Sequence, residues 1–151
     1  MLEDQMNWNE LDSETHFVSM SGETLRRLVE KLDDSEVIDL AKKLATLMTR
    51  ERMLYLFKRT DLDSYISYLQ FVSKYQKLFS LEVRKDATDG KLSIVTKHDF
   101  GEKWSLWLEN SIGEAVRVNF PSVQLEVEKS RNVVIFKLSF LPEENYNHHR
   151  W

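Results

Sequence analysis

The chain has 151 residues, enough for one domain with a real core. Its 42% hydrophobic and 30% charged residues are ordinary globular proportions, and four glycines and two prolines leave no linker-rich or low-complexity tract. The formal net charge of -4 gives no electrostatic reason to expect nucleic-acid binding, although it leaves room for a local basic patch, and the lack of cysteine excludes disulfides, thiolate chemistry and cysteine-held zinc.

The N-terminus has no basic segment followed by an apolar run, so no signal peptide is expected. No apolar stretch approaches the ~20 residues that cross a bilayer. The expectation is a cytoplasmic protein without membrane contact.

Residues 1–14 read as an acidic, polar N-terminal segment with Trp8 and Leu11 as its anchors. Residues 16–20 read as a short strand. Ser21 is a good helix cap, because its hydroxyl accepts from a free backbone N–H in the first turn. Leu25, Leu28, Val29 and Leu32 follow at the spacing of one buried helical face. Asp33, Asp34 and Ser35 interrupt that helix and cap the next, which keeps its period through Val37, Leu40, Ala41, Leu44, Ala45 and Met48 to about Thr49.

The apolar run at residues 53–57, bounded by charges on both sides, reads as a buried strand. Asp61 or Asp63 caps a third helix to about Phe79. Its apolar arc, from Leu62 and Tyr65 through Tyr68, Phe71 and Tyr75, is too wide for one surface-lying face.

Leu81 and Val83, then Leu92 and Ile94, alternate with polar residues around Asp89 and Gly90, which marks a hairpin. A helix starting near Gly101 carries Trp104, Trp107, Leu108, Ile112, Ala115 and Val116, and Pro121 ends it. A second hairpin follows, with Val123, Leu125 and Val127 on one strand and Val134, Phe136, Leu138 and Phe140 on the other. Residues 142–151 read as a flexible tail. The fold class is α+β, with one domain over residues 15–141. The expected sheet is antiparallel-rich with about five or six strands, helices mainly on one face and a C-terminal ββαββ unit.

The segment His98-Asp-Phe-Gly-Glu-Lys-Trp-Ser105, between its two hairpins, resembles a family of uncharacterised archaeal proteins best represented in ammonia-oxidising lineages. Members show a His, a Gly, a Lys or similar polar residue and then Trp-Ser at the start of that helix. The segment Leu54-Tyr-Leu-Phe57 followed by the cap at Asp61 is also similar, and the likeness spans most of Thr15 to Leu141. Some relatives carry a ribbon-helix-helix DNA-binding segment ahead of this domain. Nothing before Thr15 looks like one, so the resemblance implies no DNA-binding role here. It transfers no catalytic residue. The topology is also loosely similar to vinyl-reductase-type and haem nitric-oxide-binding sensor domains, a likeness of fold rather than of function.

Each candidate residue carries two readings. His98 is an acid/base, or a ligand whose imidazole is oriented by Asp99, or else a strand-end residue bonding the backbone of the helix start. Gly101, Glu102, Lys103 and Ser105 suggest an anion site, against which Asp99 is expected simply to cap the helix. Trp104 and Trp107 line either an apolar pocket or a core or subunit contact. Tyr65, Tyr68, Phe71 and Tyr75 lack the basic setting of a base-stacking platform and read as packing, with Tyr68, Phe71 and Tyr75 the first candidates for a pocket or a dimer interface. His148 and His149 have no carboxylate or cysteine partners, so neither metal nor cofactor is expected.

The favoured function is a non-enzymatic regulatory or ligand-sensing module acting as a homodimer. Its ligand is expected to be small and apolar or aromatic, and strong direct nucleic-acid binding is not expected. The alternatives are a small enzyme with a Trp-lined pocket using His98 as acid/base, and a pure protein-interaction or assembly subunit.

Overall fold

Among the described residues, most helices start or stop where short-range chemistry dictates. The computed structural model describes residues 2–15, 18–86 and 90–140. Helix α1 is Leu2–Thr15, α2 is Gly22–Glu30, α3 is Asp34–Phe57, α4 is Leu62–Gln76 and α5 is Glu102–Asn119. The Ser21 hydroxyl accepts from the Thr24 N–H at 3.2 Å and so starts α2. Glu36 reaches back to the Asp33 N–H at 2.8 Å and starts α3. Asp61 accepts from both the N–H and the hydroxyl of Ser64, at 2.8 and 2.7 Å, and starts α4.

Residues 53–57 are not a strand but the last turns of α3. No glycine or proline stands between Ser35 and Phe57 to stop the helix. Met53 continues the buried side of Val37, Ala41 and Ala45, while Leu54 faces outward. The helix closes only at Lys58, which takes a left-handed φ of 57°. The N-terminal segment expected as merely polar is helix α1. Residues 18–20 are irregular and exposed rather than a strand, and residues 16–17 of that expectation lie outside the described set. Helix α4 ends at Gln76, short of Phe79, because Lys77 turns left-handed with φ 57°.

Among the described residues the sheet has four strands rather than the expected five or six. They are β1 (Ser80–Asp86), β2 (Lys91–Lys97), β3 (Val123–Lys129) and β4 (Val133–Phe140), in the order β1-β2-β4-β3. All neighbours are antiparallel. The first reversal contains Gly90 at φ 60°, a conformation open to glycine without a Cβ penalty.

The register sorts the two faces. Val83, Ile94, Phe136 and Val127 stand side by side, as do Leu92, Leu138 and Leu125. This face meets α5 through Leu108, Ile112 and Val116. Leu92, Ile94, Val134, Phe136 and Leu138 are almost wholly buried, each contributing about 1.5–3 kcal/mol of apolar burial. The other face carries Glu82, Arg84, Lys97, Glu128 and Lys137. Helix α3 packs along α5 on the side away from the sheet.

Candidate functional site

The turn from β2 into α5 is built from its backbone. The His98 N–H donates to the Asn132 carbonyl at 3.0 Å, one residue beyond β2. Phe100 N–H donates to His98 Nδ1 at 3.0 Å. His98 Nε2 lies 2.8 Å from Ser105 Oγ, which donates to the Arg131 carbonyl at 2.9 Å. These partners assign the tautomer. An Nδ1 that accepts from an amide carries no proton, so the neutral ring's hydrogen is on Nε2 and is given to Ser105.

His98 and Ser105 are both buried. Burial pushes the His98 pKa below its ordinary value, with Asp99 opposing. In this arrangement both ring nitrogens are engaged and the Ser105 hydroxyl spends its own hydrogen on a carbonyl. The chain of bonds ties the start of α5 to the turn between β3 and β4.

Gly101 is the N-cap of α5, at φ 84° and ψ -176°, a region essentially reserved for glycine. Its N–H donates to the Asn132 side chain at 3.1 Å, and its carbonyl accepts from Trp104 and Ser105 at 3.1 and 3.2 Å. Asp99 was the expected cap, but it lies two residues too early and is exposed. Lys103, a candidate for anion binding, instead donates to the Leu32 carbonyl and lies 3.8 Å from Asp34. It fastens the turn between α2 and α3 to α5.

The second region is a cleft of about 280 Å³ between α3, α4 and α5. Trp104 and Trp107 stack with centroids 5.8 Å apart and planes 3° from parallel. Trp104 is buried and donates from Nε1 to the Leu78 carbonyl at 3.1 Å. Trp107 is half-buried. Tyr68 faces them across the cleft, and its hydroxyl accepts from Arg52 at 3.2 Å. Leu44, Ala45 and Thr49 of α3 complete the wall, with Ser111 of α5. Beneath the cleft, burial pushes the Tyr65 phenol far above its ordinary range.

Of the expected site residues, Tyr68, Trp104 and Trp107 therefore come together. His98 lies outside the cleft, linked to it through Phe100, whose ring is 6.3 Å from His98 and 5.6 Å from Trp104. Phe71 and Tyr75 lie elsewhere. Trp8 of α1 stacks on Tyr75 at 5.2 Å and touches Phe71 at 5.8 Å. The wide aromatic arc of α4 is thus covered on that side by the chain's own N-terminal helix. Arg52 and Thr49 were missed as site residues. Their signal was the spacing of Ala45, Thr49 and Arg52, which continues one helical side once α3 runs past residue 49.

Neither a family model nor a curated protein matches the chain. Among the described residues no group of three or more His, Cys, Asp or Glu is placed to hold a metal ion, and no helix is long and apolar enough to cross a membrane.

Proposed function

We propose that the protein is a non-enzymatic regulatory or ligand-sensing module, acting as a homodimer, whose cleft takes a small, flat apolar or aromatic ligand. The stacked Trp104–Trp107 pair carries this reading. Trp104 is fixed by its bond to Leu78 and holds the half-buried Trp107 as a rigid wall. Rigid aromatic surface binds flat ligands at little cost in side-chain ordering. Arg52 and Tyr68 supply the few polar groups that orient a ligand in an otherwise apolar site. The volume suits a ligand at the small end of the usual range.

The likeness of the α5 start to the archaeal family belongs to the same reading and brings no activity with it. The bonds of His98 give it a positioning task, which favours this reading over the enzyme reading. Because α3, α4 and α5 all border the cleft, a ligand that binds two arrangements of these helices unequally would shift the balance between them.

The test is a titration of the full chain with 1-anilinonaphthalene-8-sulfonate, an anionic aromatic probe, followed by tryptophan quenching. Saturable quenching is expected, lost in Trp107→Ala and weakened in Arg52→Ala. Quenching that survives both substitutions would place the probe elsewhere and sink the cleft reading. Native mass spectrometry of protein purified from its natural source would then identify any retained ligand.

A further inference from the structure

Helix α3 carries two apolar stripes. Val37, Ala41, Ala45 and Met53 face the core and are buried. Leu40, Leu44, Leu47 and Leu54 lie on the other side and are exposed, Leu47 by 63% and Leu54 by 44%. With Glu51 included, these positions advance in alternating steps of four and three residues, the spacing that keeps side chains on one seam of a helix. The helix has 24 residues and is about 36 Å long. The four exposed leucines fall along one line of the helix, broken once by Glu51, rather than being scattered singly.

The charges along α3 indicate what covers that seam. Glu36 lies on the seam side at its N-terminal end and Lys58 at its C-terminal end, with Lys43 and Glu51 between them, whereas Asp34 is turned to Lys103 and Arg52 to Tyr68. A second copy laid antiparallel about Leu47 sets opposite charges level with one another at two places along this side. Leu47 then meets its own copy, and Leu40 meets Leu54 of the partner subunit. Lys43 stands level with Glu51 of the partner subunit, and Glu36 with Lys58 of the partner subunit. Each of these pairs is equally spaced from Leu47 along the sequence. Parallel pairing would instead set acids against acids and bases against bases. Self-complementarity of this kind is the mark of a two-fold interface, where one patch serves both subunits.

We propose that two copies of this chain associate through the exposed seam of α3, antiparallel and centred on Leu47. This surface replaces the α4 aromatic arc, which Trp8 covers. The inference rests on the dimer half of the reading above and is independent of the ligand half. Leu44 borders both the seam and the cleft, so association and cleft occupancy share one side chain.

Sedimentation equilibrium of the full chain at micromolar concentration is expected to give twice the 18.0 kDa chain mass. Leu47→Lys should give a monomer with an unchanged circular-dichroism spectrum, since that side chain is exposed in the single chain, and with a thermal midpoint that no longer depends on protein concentration. Lys43→Glu and Glu51→Lys should each weaken association about tenfold, through two symmetric like-charge contacts. The double exchange Lys43→Glu/Glu51→Lys should restore it. A wild-type chain that stays monomeric would overturn the proposal and leave the seam to another protein. A dimer indifferent to Leu47→Lys would move the interface elsewhere, and failure of the double exchange to restore association would rule out the antiparallel register. If Leu47→Lys alters the circular-dichroism spectrum, the charge exchanges decide alone. Quenching by the aromatic probe serves as the separate readout of the cleft.

Discussion

The start of α5 and the cleft beside it contrast in how their polar and aromatic groups are used. At the helix start, both nitrogens of His98, the Ser105 hydroxyl and the Gly101 amide are all bonded to the chain itself. In the cleft, Trp107 keeps part of its face in solvent, and Arg52 and Tyr68 stand at the wall. A saturated network in a buried setting stabilises one geometry. An aromatic wall left partly wet is surface that a ligand can still cover. The residue types most suggestive of chemistry in the sequence, His, Ser, Asp and Lys, belong to the first region. Function is proposed for the second.

The sharpest break in that contrast is Trp104, which serves both regions. Trp104→Ala should cost about 3–5 kcal/mol, read from the denaturant midpoint, because the ring is buried and its Nε1 bond to Leu78 is lost. A midpoint unchanged by the substitution would remove Trp104 from the core.

Next in size, Ser105→Ala should cost about 1–3 kcal/mol by leaving the His98 Nε2–H and the Arg131 carbonyl unpaired. Gly101→Ala should cost a similar amount, about 1–3 kcal/mol. A Cβ there would meet nothing within 4 Å, so the whole effect is backbone strain at φ 84°.

The pH response separates the two regions further. Burial lowers the folded-state pKa of His98 below its ordinary value of 6.5. As pH falls, the unfolded chain takes up the proton first, so stability is full above that value and drains away as pH drops through the folded one. A proton on Nδ1 would also break the bond from the Phe100 amide. The wild-type thermal midpoint should therefore fall from about pH 7 to about pH 5, and this component of the slope should vanish in His98→Gln. An identical slope in the variant would show that His98 is not the group responsible. The smallest stability effect is expected for Trp107→Ala, within about 1 kcal/mol, although it should abolish probe binding.

Much of the fold was legible. The caps at Ser21, Asp33 and Asp61 follow from short side chains bonding the next turn's amides, and the alternation in β1 to β4 follows from the pleat. The run at residues 53–57 was misread because five apolar residues fit a buried strand and a helix end equally well. Only the missing breaker before it favoured the helix. Helix α1 was hidden because its anchoring depends on Trp8 meeting Tyr75 and Phe71, a contact between distant parts of the chain. Of the site, the tryptophan pair and Tyr68 were legible from aromatic content. Arg52 was not, since its place in the cleft depends on how far α3 extends. Asp99 was mistaken for the cap because side-chain capping rules do not anticipate a glycine that re-aims the backbone.

The bonds between the start of α5 and the β3–β4 turn also bear on the order of folding. Ser105 reaches a carbonyl 26 residues away, and the Gly101 amide reaches a side chain 31 residues away. Both partners take their positions only after β4 has paired with β2, a non-local closure whose entropy must be met before its contacts form. The first turn of α5 is then expected among the last parts of the chain to gain protection from hydrogen exchange during refolding, after the middle of the same helix. Substitutions at Gly101 and Ser105 should accordingly speed unfolding and leave the refolding rate almost untouched.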